Sequence, residues 1–245
     1  MTDAKRDIIN KLQKEILLSE GFKPRTAETR EIIGLKTIEA AFPNGVFPVG
    51  TIHEFLIAAP EQAAASGGFI SGLLTALMKQ GGVCLWISVS RTLFSPALKT
   101  FGIEPDQIIF VNPPREKDVL WVMEEALKYK GLTAVIAEVR ELNFMQSRRL
   151  QLAVETSKVT GFVLRSDLRK LGATTCMARW QIRPIPSELG EGLPGVGFPR
   201  WQVELLKVRN GKPGSWKVEW SAGRFALIAE NTIKVSLPKE IRKAG

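Results

Sequence analysis

Short apolar segments alternate with amphipathic helical patterns through the middle of the chain. The strand-like segments lie at residues 51–57, 83–88, 108–112, 133–139 and 160–166. The helical patterns between and after them begin at Gly68, Pro96, Glu116 and Ser147. Because β and α segments in alternation are typical of a mostly parallel sheet with helices on its faces, joined by right-handed crossovers, the pattern predicts an α/β fold.

The hydrophobic period changes after residue 175. Three segments, at 177–185, 199–210 and 214–221, alternate apolar and polar residues. Their period of two places Trp201, Val203 and Leu205 on one face of a strand. An Asn-Gly pair at 210–211 is typical of a hairpin turn. We therefore expect antiparallel strands to follow the parallel part of the sheet.

Two further segments flank this predicted core. Residues 5–19 place apolar side chains at helical spacing between charged ones, which is typical of an amphipathic helix. Its predicted partner-binding residues are Ile8, Leu12 and Ile16. A polar tether follows the helix, and docking on its own domain or on a neighbour both stay open. The predicted division is helix and tether at 1–35, a core at 36–228 and a basic tail at 229–245.

Composition narrows the class of protein. The chain has 245 residues, 44% of them hydrophobic, which is enough for a substantial core. Its single histidine, His53, excludes histidine-rich metal centres and is interpreted as a structural residue. Cys84 and Cys176 lack CxxC spacing, so neither a disulfide framework nor a zinc site is expected. The cysteine pattern fits a reducing, cytoplasmic compartment, and the lack of a long apolar stretch predicts a protein that does not span a membrane. We expect no cofactor.

Positive charge is concentrated in the second half of the chain. Residues 138–245 contain 19 Lys and Arg against 10 Asp and Glu, which accounts for the whole net charge of +9. Clustered positive charge attracts polyanions and acidic partners. A basic, solvated surface is the alternative interpretation.

A strand, a glycine-containing loop and a helix at residues 51–78 occupy the place of a nucleotide-binding P-loop. Such a loop needs the pattern GxxxxGK[ST], whose lysine and hydroxyl group hold phosphate and magnesium. Here Ser66 and Gly67 are followed by Gly68 and Phe69, which supply neither group. The sequence predicts that these four residues belong to a degenerate nucleotide site that does not hydrolyse ATP.

The order of these segments resembles the core of the RecA recombinase family over residues 50–225. More specifically, the chain looks like a member of the ImuA family of RecA-like proteins, which carry the older name SulA-like. The motifs that carry the resemblance are GTIHEF at 50–55, LFSPAL at 93–98, VLWVMEEAL at 119–127, SRRLQLAVE and TGFVLR within 147–165, ARWQIRPIPS at 178–187 and PRWQVELLKVRNGKPGSWKVEW at 199–220. The last motif is the most specific of them.

The resemblance implies a RecA-like fold and an accessory role in translesion DNA synthesis and induced mutagenesis. It also implies that Ser90 replaces the catalytic glutamate of the ATPases and that Glu138 replaces their magnesium-binding aspartate. The implied partners are an ImuB-type Y-family-like protein, an error-prone replicative-type polymerase and RecA, and a homo-oligomer is compatible with them. Two alternatives stay open: a regulator of RecA filaments, and a divergent, weak ATPase that uses Glu138.

In the recombinase fold, single-stranded DNA is held by loops that follow the central strands, where phosphates meet cationic side chains. The matching segments here contain Arg140, Arg148, Arg149, Arg165, Arg169 and Lys170. In the alternative interpretation, Arg148 and Arg149 face solvent on a helix and Arg165 caps a strand end. The tryptophans of the basic half are expected in the core or at an interface, and Trp86 and Trp121 in the core.

Overall fold

The parallel and antiparallel segments join in one sheet. The computed structural model describes residues 33–90, 93–169, 171–188 and 197–228, and residues 5, 8, 11, 12 and 15 before them. Within this part of the chain, the strand order is β3-β2-β4-β5-β1-β6-β7-β8-β9. The strands are β1 (Ile52–Leu56), β2 (Val83–Ile87), β3 (Ile108–Val111), β4 (Leu132–Val139), β5 (Thr160–Arg165), β6 (Ala178–Ile185), β7 (Arg200–Val208), β8 (Gly214–Ser221) and β9 (Arg224–Leu227).

The sheet changes from parallel to antiparallel at β6. All neighbours from β3 to β6 pair in parallel, whereas β6 to β9 pair antiparallel. The central strand β5 is buried along its whole length because both of its faces are covered. In β7 the first six residues alternate between partly and fully buried positions. These features confirm the predicted fold class, a mostly parallel α/β sheet with antiparallel C-terminal strands.

Helices cover both faces of the sheet. They are α1 (Lys36–Glu39), α2 (Pro60–Leu77), α3 (Glu116–Leu127) and α4 (Phe144–Ser157), with short 3₁₀ segments at Pro43–Gly45, Ser95–Phe101 and Pro105–Gln107. The described residues between 5 and 15 are helical too, in agreement with the predicted N-terminal helix. None of the helices in the described ranges has the length and apolar character that crossing a bilayer would require. The tether before residue 33 and the tail from 229 lie outside the described residues.

Helix α2 begins eight residues earlier than the sequence predicts. We expected the helix to start at Gly68, but it starts at Pro60. Proline is favoured at the first helical position, and the alanines at 63–65 propagate a helix well. The glycines inside the helix allow close packing, because a Cβ atom at Gly72 would lie 2.5 Å from the Phe225 ring. The glycines therefore mark helix–sheet contacts and not a turn.

Two hydrophobic clusters lie on opposite faces of the sheet. The first is rich in aromatic residues and joins α2 to the late strands through Phe55, Phe69, Trp180 and Trp201. The second is mainly aliphatic and packs α3 and α4 on the sheet through residues such as Met123. Trp86 is buried as predicted, but Trp121 is 61% exposed, which makes its predicted core position wrong.

His53 lies in the aromatic cluster and has the structural position expected for it. Its ring stacks on Phe47 with centroids 4.7 Å apart. Nε2 donates to the Pro48 carbonyl oxygen at 2.8 Å, and Nδ1 accepts from Trp180 Nε1 at 3.3 Å. Burial lowers the pKa of His53 to about 4. The neutral imidazole is therefore the form that this core accommodates.

Candidate functional site

A groove of about 1060 Å³ lies where the parallel strands β1, β2, β4 and β5 end. Ligands of open α/β folds commonly bind outside the carboxyl ends of the strands. One wall is the first half of α2, and another is the 3₁₀ segment Ser95–Phe101. Trp201 of β7 completes the lining. The groove thus occupies the position in which this kind of fold would bind a nucleotide.

The connection that follows β1 has neither the glycines nor the lysine of a P-loop. Strand β1 ends at Leu56 and α2 starts at Pro60, so only residues 57–59, which read IAA, connect them. Residues 57–66 read IAAPEQAAAS, which contains no glycine and no lysine, and Ser66 is its one hydroxyl residue. The Ser66 side chain is buried and does not line the groove.

The four residues predicted as the phosphate loop lie inside α2 instead. Ser66, Gly67, Gly68 and Phe69 follow more than one full turn of helix after Pro60. Their N–H groups are used by intrahelical hydrogen bonds, so they cannot cradle phosphates. Phe69 points into the core, where its ring lies 6.2 Å from that of Trp180. The predicted position of the loop is therefore corrected to the short connection after β1, because Pro60 starts the helix there.

Ser90 and Glu138 do meet at the floor of the groove, as expected for residues at the ends of the neighbouring strands β2 and β4. Glu138 Oε1 accepts from Trp86 Nε1 at 2.9 Å. Oε2 accepts from Ser88 Oγ at 2.8 Å and from Ser90 Oγ at 3.2 Å. Both carboxylate oxygens are thus engaged, and a magnesium ion would have to compete with three hydrogen bonds. Within the described ranges, no group of three His, Cys, Asp or Glu side chains is arranged to hold a metal.

The walls of the groove are mainly apolar. Phe94 and Phe198 both line it and remain 69% and 54% exposed. The charged lining residues are three carboxylates, Glu61, Glu116 and Glu138, and two guanidinium groups, Arg140 and Arg200. Arg200 is already paired with Glu188 and Glu219, each at 2.6 Å. This lining favours apolar and cationic ligands over a triphosphate.

Four of the arginines predicted to contact DNA lie on the surface. These are Arg140, Arg148, Arg149 and Arg169, and Lys170 lies outside the described residues. Arg149 pairs with Glu124 at 2.6 Å, and Arg148 lies 3.9 Å from Glu155. Arg169 pairs with Asp167, and the hydrogen bonds from Arg169 hold the pKa of the Asp167 carboxyl well below its usual range. The phosphates of a DNA strand would therefore have to replace the carboxylates that already pair with Arg148, Arg149 and Arg169.

Arg165 has a different role from the predicted one. Its side chain is buried, and its Nη1 lies 3.2 Å from Glu54 Oε1. Nη1 also donates to the Leu142 carbonyl oxygen, and Nε donates to that of Asp167. A phosphate cannot reach this guanidinium group, because the strand pairing places it beside β1 in the interior. The predicted DNA contact of Arg165 is thereby corrected to an internal ion pair.

Glu54 is the centre of a buried network that the sequence reasoning missed. Besides Arg165, its carboxylate accepts from Arg179 Nε at 2.8 Å and from Thr174 Oγ1 at 3.0 Å. The network joins β1, β5 and β6 to the loop between β5 and β6. A charged residue inside the apolar segment TIHEFLI was the available signal, since a buried charge needs a partner.

Comparison with curated proteins confirms the family resemblance seen in the sequence. No family model matches the chain. The ImuA proteins from two strains of Caulobacter vibrioides are 33% identical over 195 residues, which cover 75% of this chain and 80% of each relative.

The comparison with solved structures concerns the fold alone. The RadB recombinase structure is 13% identical, with a TM-score of 0.54, and covers 80% of this chain and 98% of its own. A SulA structure from Pseudomonas aeruginosa covers 47% of this chain, with 14% identity and a TM-score of 0.41, which is too low to support an argument. The sheet order and RadB together establish a RecA-like fold. At this level of identity and coverage to its curated relatives, the chain belongs to the ImuA family.

Proposed function

We propose that this chain is a non-catalytic, RecA-like accessory protein of translesion DNA synthesis. In this proposal it tethers an ImuB-type protein and an error-prone replicative-type polymerase at damaged single-stranded DNA, with RecA as a further partner. The observation that carries the proposal is the absence of the P-loop residue types in a RecA-like fold: the sequence after β1 reads IAAPEQAAAS at 57–66. This sequence, without glycine or lysine, supports a fold that serves as a scaffold and does not act as a motor.

The argument against catalysis is electrostatic. Phosphoryl transfer depends almost wholly on positioning and on charge stabilisation by the P-loop amides, its lysine and magnesium. Here residues 57–66 contain no lysine, and the buried side chain of Ser66 does not line the groove. Glu138, the remaining acidic group at the floor, is held by three donors. These features support a role in which the fold presents surfaces and performs no chemistry.

Tethering provides a mechanism that needs no nucleotide. Holding two partners on one scaffold makes their encounter intramolecular, which raises their effective concentration. Four exposed side chains would supply the contact with DNA phosphates: Arg140 after β4, Arg148 and Arg149 on α4, and Arg169 after β5. The existing ion pairs of Arg148, Arg149 and Arg169 predict a weak, salt-sensitive contact.

The proposal is tested by association and by lesion bypass. We expect the purified chain to retain an ImuB-type protein in a pull-down, and we expect Glu138→Gln to retain it equally. Cells whose only copy carries Glu138→Gln should show unchanged induced mutagenesis, since tethering does not use this carboxylate. RecA serves as a separate bait. Failure to bind the ImuB-type protein, the polymerase and RecA would contradict tethering, and binding to RecA alone would favour the regulator of RecA filaments.

A second expected result concerns ATP. Titration with Mg-ATP at 25 °C should give a dissociation constant weaker than about 1 mM, because residues 57–66 contain no cationic side chain to offset the phosphate charge. Calorimetry provides the measurement, and a titration with magnesium alone provides the baseline. Saturable, magnesium-dependent binding of one nucleotide per chain would support the divergent ATPase instead.

A further inference from the structure

The groove at the ends of the parallel strands has the character of a peptide-binding site. It keeps the position of a nucleotide site, but its rims are the exposed rings of Phe94 and Phe198, with Leu93, Val89 and Ile57 in its lining. Exposed apolar patches bordered by polar groups commonly mark interaction sites. An amphipathic helix that lies in such a groove buries its apolar face and leaves its polar face at the rim.

The charged residues that line the groove indicate which kind of helix fits it. The protein carries a net charge of +9, yet the groove is lined by three carboxylates and two guanidinium groups. Arg200 is neutralised by two further carboxylates, and Glu116 Oε1 accepts from the Arg140 backbone N–H at 2.8 Å. The groove is thus an acidic region of a basic protein, and its charge is complementary to that of a helix with a basic polar face.

The chain itself contains a segment with this pattern. Residues 5–19, KRDIINKLQKEILLS, hold four cationic and two anionic side chains around an apolar stripe. The described residues of this segment are helical, and Ile8 and Leu12 are 59% and 51% exposed. These two residues are one helical turn apart and share a face. Ile16, the third residue of the predicted stripe, lies outside the described residues. In the part of the chain that the structure describes, Ile8 and Leu12 thus remain largely exposed.

We propose that the N-terminal helix of a second copy of this chain binds in the groove and inserts Ile8 and Leu12 between Phe94 and Phe198. Lys5 and Lys11, which are exposed on the same segment, then lie toward the carboxylates of the rim. The contact joins two different surfaces, the N-terminal segment of one copy and the groove of another. Two copies therefore form a dimer by exchanging these segments, or successive copies form a longer assembly. It does not depend on the proposed tethering function.

Cross-linking between copies tests this arrangement directly. Both native cysteines are buried, and burial raises the pKa of each thiol to about 12, so they stay unreactive. Full-length Leu12→Cys protein, mixed with full-length Phe94→Cys protein under mild oxidation, should give a mixed disulfide dimer in high yield. The matched control is Leu12→Cys mixed with Trp121→Cys, since Trp121 is also exposed but lies on α3, outside the groove lining.

Each result of this experiment decides the question. Equal yields in the two mixtures, or no mixed dimer in either, would overturn the proposal. A Leu12→Cys/Phe94→Cys double variant that closes only within one chain at high dilution would instead assign the groove to the chain's own helix, and would also overturn it.

Mass in solution gives an independent measurement: Leu12→Asp and Phe198→Asp should each weaken self-association at least tenfold, whereas Leu152→Asp, exposed on α4, should not. Wild-type protein that stays monomeric at about 100 µM would contradict the second-copy assignment.

Discussion

Replacing Glu54 with alanine is expected to lower the free energy of unfolding by about 3–5 kcal/mol, because it leaves a buried guanidinium group without its counter-charge. Arg165 is almost fully buried, and its Nη1 lies 3.2 Å from the Glu54 carboxylate. The attraction within such a pair is largely offset by desolvation while both partners are present. Removal of one partner leaves the desolvation cost of the other uncompensated. Urea denaturation measured at pH 7 gives the comparison.

A double variant separates this explanation from simple loss of packing. Glu54→Leu with Arg165→Met replaces both charges with apolar groups of similar size and should recover most of the lost stability. Arg179, which also pairs with Glu54, is 15% exposed and can turn its guanidinium group toward water. If the double variant is no more stable than Glu54→Ala, the pair is not the cause. Glu125→Ala on the exposed face of α3 should leave the denaturation midpoint unchanged.

The same network relates stability to the predicted DNA-binding face. Glu54 accepts from Thr174, which lies in the loop that also carries Arg169. The Thr175 backbone N–H donates to Ser147 Oγ of α4 at 3.1 Å. The loop after β5 is therefore fixed at one end by buried contacts, while Arg169 remains at the surface. Loss of Glu54 should loosen this loop before it unfolds the sheet, and faster amide exchange in residues 171–176 would report it.

The sheet could be predicted because its signals are local. Apolar segments in the sequence predicted the ends of β1 to β5 to within one residue each. The family resemblance placed Ser90 and Glu138 in one site, and the structure brings them together at the carboxyl ends of the neighbouring strands β2 and β4. The core position predicted for Trp121 was wrong, although the sequence contains the helical pattern that places this residue on the exposed face. Val119, Met123 and Leu127 repeat every four residues and define the buried face, which leaves Trp121 on the opposite side.

The features that sequence reasoning missed depend on contacts between distant segments. Arg165 is buried because the register of β1 and β5 pairs it with Leu56, two residues from Glu54. No local pattern contains that register. The start of α2 was misplaced for a different reason: a Gly-Gly pair was interpreted as a turn, whereas Gly68 provides room for Trp201, whose Cζ2 lies 3.0 Å from where a Cβ would be.

Acid should destabilise this protein through His53 before it acts on the carboxyl groups. The pKa of His53 is lowered from about 6.5 to about 4 by burial, whereas the unfolded chain titrates near the ordinary value. Between these values the unfolded state binds the extra proton, so the free energy of unfolding falls as pH decreases. Above about pH 6.5 the effect is absent. By about pH 4 it amounts to about 3 kcal/mol, since each pKa unit corresponds to about 1.4 kcal/mol.

The contacts of the ring explain why the proton is excluded and how to test the effect. Nδ1 accepts from Trp180 Nε1, so a proton on Nδ1 would place two donors opposite each other. Phe47 and Phe162 pack against the same ring and offer no counter-charge. His53→Gln should therefore be less stable than the wild type at pH 7 but lose much less stability between pH 6.5 and 4.5, as measured by urea denaturation across that range. Glu188 and Asp118, whose carboxyl pKa values are lowered by arginine partners, affect stability mainly below this window. Parallel pH dependence in the two proteins would mean that His53 is not the group responsible.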